Sequence, residues 1–209
     1  MKDGFVKVAA ATPKIKVADT QYNAEAIISE VKEACADGAK IVVLPELCIT
    51  GYSCSDLFLQ DKLLASAREQ LGVIADRTAD CDALLFIGMP LEKDHKLFNV
   101  AAVVQHGHVL AFIPKILGIV PKQHIPNYSE FYEARHFASG EGQDGYCRYE
   151  GEEIPFGTDI LFECDTVEGL VVGCEICEDI WTPNPPNTRH ALAGATVMVN
   201  LSASNELVG

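Results

Sequence analysis

The chain has no apolar run approaching the roughly 20 residues that a membrane-spanning helix requires. Its longest candidates are strand-sized pieces such as Ala83-Leu-Leu-Phe-Ile87. Its first residues, Met1-Lys2-Asp3-Gly4, lack the basic and apolar regions of a secretory signal. Eight cysteines would suggest disulfides in a secreted protein, but without such a signal they read as thiols of a reduced, cytoplasmic protein. A basic stripe is also missing. The net charge is -14 with Lys and Arg scattered along the chain, which argues against nucleic acid and against a membrane surface as partners. No internal repeat, low-complexity linker or compositional break divides the chain. Its 209 residues suffice for a substantial core, so one domain is favoured, with two possible.

What is present is an alternation of strand-like and helix-like segments. Val6 to Ala11 reads as a strand, and a helix is expected from about Thr20, where Ile27, Ile28, Val31 and Ala34 recur at helical spacing until Gly38. Ile41-Val-Val-Leu44 is a β-branched run suited to burial on both faces, followed by a helix near Leu57 to Ala75. Asp82 to Met89 is a third buried strand. Leu97 to Gln105 and Val109 to Ile113 then flank His106-Gly107-His108 as a hairpin, so parallel and antiparallel pairing should mix. From Lys115 to Gly157 the sequence is rich in Gly, Pro, Tyr and charge with little periodicity, as expected of functional loops. Regular structure should return with strands near Asp159 to Phe162 and Leu170 to Gly173, a short helix around Thr188 to Gly194 and a strand at Thr196 to Asn200. The chain ends soon afterwards, which suggests truncation.

Three segments carry chemistry. In Gly173-Cys-Glu-Ile-Cys177-Glu-Asp-Ile-Trp181 a cysteine stands where a buried strand breaks into a loop. A thiol there needs only a base or a cation to become a nucleophile. Glu46 follows a buried strand and Pro45, at a strand end where partial burial would raise its pKa and make it a competent base and acid. The bland alternative is a solvated or capping carboxylate. Lys122 lies in an apolar, proline-stiffened segment that would present its ammonium to a thiolate or an oxyanion, with Lys115 as competitor and simple surface charge as the alternative for either. Tyr128 and Glu130, shortly beyond Lys122, could hold a polar substrate. Cys174 and Cys177 also form a C-x-x-C, which admits a dithiol or zinc reading. Side chains three apart on a strand point to opposite faces, which sets the two thiols apart. The other cysteines fit small core or loop positions.

In the order Glu46, Lys122, Cys177 these segments resemble the nitrilase, or carbon-nitrogen hydrolase, superfamily. Pro45-Glu-Leu-Cys-Ile-Thr-Gly-Tyr52-Ser, Pro121-Lys-Gln-His-Ile-Pro-Asn-Tyr-Ser-Glu-Phe-Tyr-Glu133, Ile176-Cys-Glu-Asp-Ile-Trp181 and Asn200-Leu-Ser-Ala-Ser204 are similar, more narrowly, to glutaminase domains of glutamine-dependent NAD synthetases. The resemblance spans essentially the whole chain. It implies an α/β fold, the four-layer αββα sandwich with mixed sheets. It also implies Cys177 as nucleophile, Glu46 as general base and acid, and Lys122 as oxyanion partner. Tyr128 and Ser204 would contact glutamine, the backbone N–H of Glu178 would complete the oxyanion hole, and Tyr52 and Glu130 would shape the pocket. Glu130 resembles the second carboxylate of amidase sites, with Glu133 a rival.

The same resemblance implies no cofactor for this domain, a homo-oligomer, and ammonia delivered to a synthetase domain that uses ATP and magnesium. No Ser-Gly-Gly-x-Asp-Ser pyrophosphate loop occurs here, so ATP and dinucleotide binding are assigned to none of these residues. Relatives of this kind run on past Gly209 with further strands and an arginine for the glutamine carboxylate. The competing readings are a free-standing amidase for another small amide, a non-catalytic scaffold, and a zinc-binding module.

Overall fold

The computed structural model describes residues 4–105 and 115–205. Its strands are β1 (Val8–Ala10), β2 (Ile41–Val43), β3 (Leu84–Lys93), β4 (Lys96–Gln105), β5 (Lys115–Pro121), β6 (Asn127–Tyr128), β7 (Phe131–Tyr132), β8 (Gly145–Tyr149), β9 (Glu152–Phe156), β10 (Leu161–Glu163), β11 (Val171–Ile176) and β12 (Val197–Leu201). The helices are α1 (Thr20–Ala36), α2 (Asp61–Arg77) and α3 (Pro186–Leu192), with short 3₁₀ helices at Tyr52–Leu59, Glu133–Arg135 and Cys177–Trp181. Among the described residues no helix is long and apolar enough to cross a membrane.

Seven strands form one mixed sheet in the order β1-β2-β3-β4-β5-β9-β8, and β10-β11-β12 form a second. The first three strands run parallel, whereas β3, β4 and β5 form an antiparallel meander. Alternation along β4 explains the layering. Phe98, Val100, Ala102 and Val104 join Ile27, Val31, Leu71 and Ile74 of α1 and α2 in one core, while Ala101 and Val103 face Phe162, Val172, Cys174, Ile176 and Leu201 of the smaller sheet. Both faces of the large sheet are therefore dry. On the far side of the smaller sheet α3 closes over Gly173, whose absent side chain admits His190. The result is the αββα sandwich.

The expected first helix is α1, which Asp19 caps through the Tyr22 N–H and which Gly38 follows in the left-handed region at φ 89°; the second begins at Asp61 and not at Leu57, because Gln60 is extended and Leu57 belongs to the preceding 3₁₀ helix. The 115–157 stretch is less irregular than its composition implies. It contains β5 inside the large sheet and the β8–β9 hairpin, which turns on Glu150 and Gly151, both left-handed. The predicted hairpin turn at His106 to His108 and the strand Val109 to Ile113 lie outside the described residues; the antiparallel partner of β4 is β5, registered from Gln105 opposite Lys115.

Parallel geometry gathers the chemistry. Strands β2 and β5 point the same way in one sheet, and β11 and β12 are parallel in the other, so their C-terminal ends present Glu46, Lys122, Cys177 and Ser204. The turn carrying Glu46 rests directly on Gly88: a Cβ there would stand 2.3 Å from the Pro45 carbonyl oxygen and 2.4 Å from the Leu47 nitrogen. Gly88→Ala is thus expected to displace that turn and cost about 1–3 kcal/mol. The urea midpoint reads this directly, and an unchanged midpoint would show that the turn yields freely.

Candidate active site

Three charged side chains from distant parts of the chain meet in a buried cluster. Lys122 is fully buried, with Nζ donating at 2.7 Å to Oε1 of Glu46 and at 2.7 Å to Oε1 of Glu133. Asn99, in the middle of β4, donates its Nδ2 to the same Glu46 oxygen at 2.6 Å and to Oε2 of Glu133 at 3.3 Å. Its backbone carbonyl receives the Lys122 N–H at 2.8 Å. The second Glu46 oxygen accepts the Ala203 N–H at 3.2 Å, and the Tyr52 hydroxyl donates to Glu133 at 2.8 Å. A buried ion pair is tolerated when hydrogen bonds offset its desolvation; here both oxygens of Glu46 and of Glu133 have donors, whereas Asn99 Oδ1 is left without a partner.

The cluster decides between the two carboxylates that the sequence left open. Chain reversal at Ser129, φ 51°, places Glu130 at the exposed tip between β6 and β7, where it bonds Asn205. Glu133 begins the following 3₁₀ helix and turns inward, 5% exposed, onto Lys122. The second carboxylate at the lysine is therefore Glu133. Tyr52 and Glu130 both line a cavity of ≈ 240 Å³ beside Glu133, together with Ser53, Tyr132 and His136. Tyr128 lies exposed and donates to Glu178 at 2.8 Å. Lys115, the rival cation, opens β5 at the opposite end of the strand from Lys122.

Strand β11 stops at Ile176, so Cys177 is not a strand residue. It opens a 3₁₀ helix in the left-handed region at φ 46°, a conformation that costs a non-glycine residue energy and persists only where the surroundings enforce it. Asn200 on β12 supplies part of that enforcement: its Oδ1 accepts the Cys177 N–H at 3.1 Å and its Nδ2 reaches the Cys177 carbonyl at 3.4 Å. The Cys177 N–H is thus already committed, to Asn200. The Cys177 Sγ lies 3.7 Å from the Ser204 hydroxyl. Cys174 is buried without exposed surface in the inter-sheet core. The two thiols differ because the strand ends between them, not through strand alternation alone.

Electrostatics follow from burial. The Glu46 pKa is raised, chiefly by desolvation, with Lys122 pulling it down and Glu133 pushing it further up. Burial and Glu46 raise the Cys177 thiol, while Lys122 and the hydroxyls of Ser202 and Ser204 lower it. Desolvation opposes the charge on Lys122, but the two carboxylates outweigh it and its pKa ends above the ordinary value. Cys174, with desolvation dominant and Asp179 and Glu175 adding to it, is pushed well above an ordinary thiol. Among the described residues no three or more His, Cys, Asp or Glu side chains are grouped to hold a metal ion.

Asn99 was legible only as a polar residue inside an apolar strand, and buried polar residues of that kind repay a search for partners. Asn200 and Asp179 sit inside motifs singled out from the sequence without a role there.

The sequence profile of the family described as carbon-nitrogen hydrolase matches residues 7–207. The chain is 41% identical over 206 residues to a glutamine-dependent NAD(+) synthetase of Mycobacterium bovis, a match covering 99% of this chain and 29% of that protein. Among solved structures, a glutamine-dependent NAD(+) synthetase from Cytophaga hutchinsonii aligns with TM-score 0.82 at 30% identity, covering 98% of this chain and 31% of that one. An amidase from Nesterenkonia sp. aligns with TM-score 0.67 at 21% identity, covering 97% of this chain and 66% of that one, and shares the fold. The chain spans less than a third of the length of the synthetases it matches.

Proposed function

Because the chain belongs to the carbon-nitrogen hydrolase family, we propose that it hydrolyses the side-chain amide of glutamine through a thioester on Cys177, as the ammonia-generating half of a glutamine-dependent NAD synthetase. The observation that carries this reading is the Lys122 ammonium shared between Glu46 and Glu133 beside a thiol on strained backbone. Glu46 takes the Cys177 proton, and the thiolate adds to the amide carbon. The oxyanion forms against Lys122 and the Glu178 N–H. Collapse of the tetrahedral adduct breaks the carbon–nitrogen bond, and Glu46 returns its proton to the departing ammonia. Water then surrenders a proton to Glu46 and attacks the thioester; the second collapse releases glutamate and restores the thiol. Tyr128, Ser204, Tyr52 and Glu130 are assigned to the glutamine pocket. The ammonia passes to an ATP-dependent synthetase domain that amidates nicotinic acid adenine dinucleotide, a step assigned to no residue here.

The test is direct. The purified chain is incubated with glutamine and with simple aliphatic amides, glutamate and ammonia are quantified, and a glutamine-mimicking electrophile is located by peptide mass spectrometry. Glutamate release with an adduct on Cys177 is expected. Turnover of simple amides in preference to glutamine would instead indicate a general amidase, and an adduct on another cysteine would overturn the assignment.

The pH dependence has a definite sign. Glu46 acts first as a base, so the rate falls as pH drops through its raised pKa, placing the acid limb above the ordinary carboxylate range. Glu133 contributes to that elevation. Glu133→Gln removes a like charge and leaves Lys122 more fully to Glu46, so the acid limb of kcat/KM should move to lower pH. A shift to higher pH would contradict the assignment of Glu46 as base.

A further inference from the structure

Asp179 has no part in the chemistry above, yet its carboxylate touches the peptides next to both the cation and the thiol. It is 1% exposed. Its Oδ1 accepts the N–H groups of Gln123 at 3.1 Å and His124 at 2.7 Å, and its Oδ2 accepts those of Ile176 at 3.1 Å and again Gln123 at 3.3 Å. Gln123 and His124 follow Lys122 at the end of β5 in the large sheet, whereas Ile176 ends β11 in the smaller sheet and precedes Cys177. A helix cap would need the Ile176 bond alone. The bonds to the Gln123 and His124 peptides cross from one sheet to the other, and burying a carboxylate is unfavourable unless donors satisfy it as these do.

We propose that Asp179 is a positioning residue that fixes the separation of the Lys122 ammonium and the Cys177 thiol. This rests on the reading of Cys177 as nucleophile. The groups that bear on the thiol are Glu46 after β2, Lys122 after β5, Tyr52, Tyr128 on β6, and the hydroxyls of Ser202 and Ser204 after β12. Lys122 alone among the charged ones favours the thiolate. Loosening the clasp on the Lys122 side therefore weakens the one charge that favours the thiolate.

Two variants separate this from a capping role. Asp179→Asn keeps the shape, but its amide NH₂ must face an N–H donor, so one of the two linkages is lost. Asp179→Ser keeps an acceptor beside Ile176 and is too short to reach the Gln123 and His124 peptides. The rate of Cys177 alkylation by iodoacetamide is followed across pH in the parent chain and both variants, with the peptide located by mass spectrometry, alongside kcat and KM for glutamine. In the variants the alkylation profile should move to higher pH, and kcat should fall roughly 10- to 100-fold with KM little changed. A folded variant with the parent alkylation profile and kcat, even one less heat-stable, overturns the proposal and leaves Asp179 a cap. If the parent chain releases no glutamate while the alkylation profile still shifts in the variants, the glutaminase reading fails and the positioning role survives.

Discussion

Cys177→Ala is expected to lower glutamine hydrolysis by on the order of 10⁴-fold or more, because no other group on the site can form the thioester. Cys174→Ala should keep most of the rate. Its sulfur is packed without exposure between the two sheets, so its loss costs roughly 1 kcal/mol of stability through the missing apolar contact rather than any chemistry. The contrast matters because the two thiols are three residues apart in one motif. Burial dominates the raised pKa of both, but Lys122 and the Ser202 and Ser204 hydroxyls favour the thiolate only at Cys177. Glutamate release by the two variants, measured beside urea denaturation, separates the cases. Equal loss of activity in both, without unfolding, would sink the assignment of Cys177.

Lys122→Met is expected to damage stability and activity together. The substitution leaves Glu46 and Glu133 facing one another in a buried site with no cation between them. Removing one partner of a buried ion pair costs about 3–5 kcal/mol. Loss of the oxyanion partner would lower the hydrolysis rate by a further order of 10²- to 10³-fold in any protein that stays folded. The pH dependence distinguishes this from a packing defect. Without Lys122 the Glu46 pKa, already raised, rises further, so the folded variant holds a proton that the unfolded chain has released. The deficit relative to the parent is therefore fullest above that raised pKa and shrinks as pH falls through it toward the unfolded value. The parent shows the converse on the alkaline side: the Lys122 pKa is raised in the fold, so its stabilisation is complete below the unfolded lysine value and is lost as pH rises through the folded one. Urea unfolding of parent and variant at several pH values measures both trends. A deficit independent of pH would mean that Lys122 contributes packing alone.

The elements that were legible in the sequence are those with local causes. Helix α1 could be read because a helical apolar stripe and Gly38 each act within a few residues, whereas its cap, Asp19, shows only in the structure. The β-branched run of β2 could be read because burial on both faces leaves no polar alternation to confuse it. Strand β5 and the β8–β9 hairpin were hidden because β5 pairs with β9 at Ile119 and Phe156, far apart in the chain and surrounded by Pro, Gly and charge. The same distinction separates Glu130 from Glu133. Both follow Lys122 closely, and only the reversal at Ser129 turns one to solvent and the other inward.

Residue identity and local strand-end context placed Glu46, Lys122 and Cys177 at the ends of buried strands, and the resemblance carried by those segments pointed to the family that the profile match shows. Which carboxylate meets the lysine, that Asn99 bridges the pair, and that Asn200 and Asp179 hold the backbone at Cys177 and Ile176 follow from tertiary contacts alone. The reason is physical. Desolvation and Coulomb interaction depend on burial and distance: pairing of strands far apart in the chain brings Glu46, Asn99 and Lys122 together in the large sheet, and packing of the smaller sheet against it adds Cys177, Asn200 and Asp179.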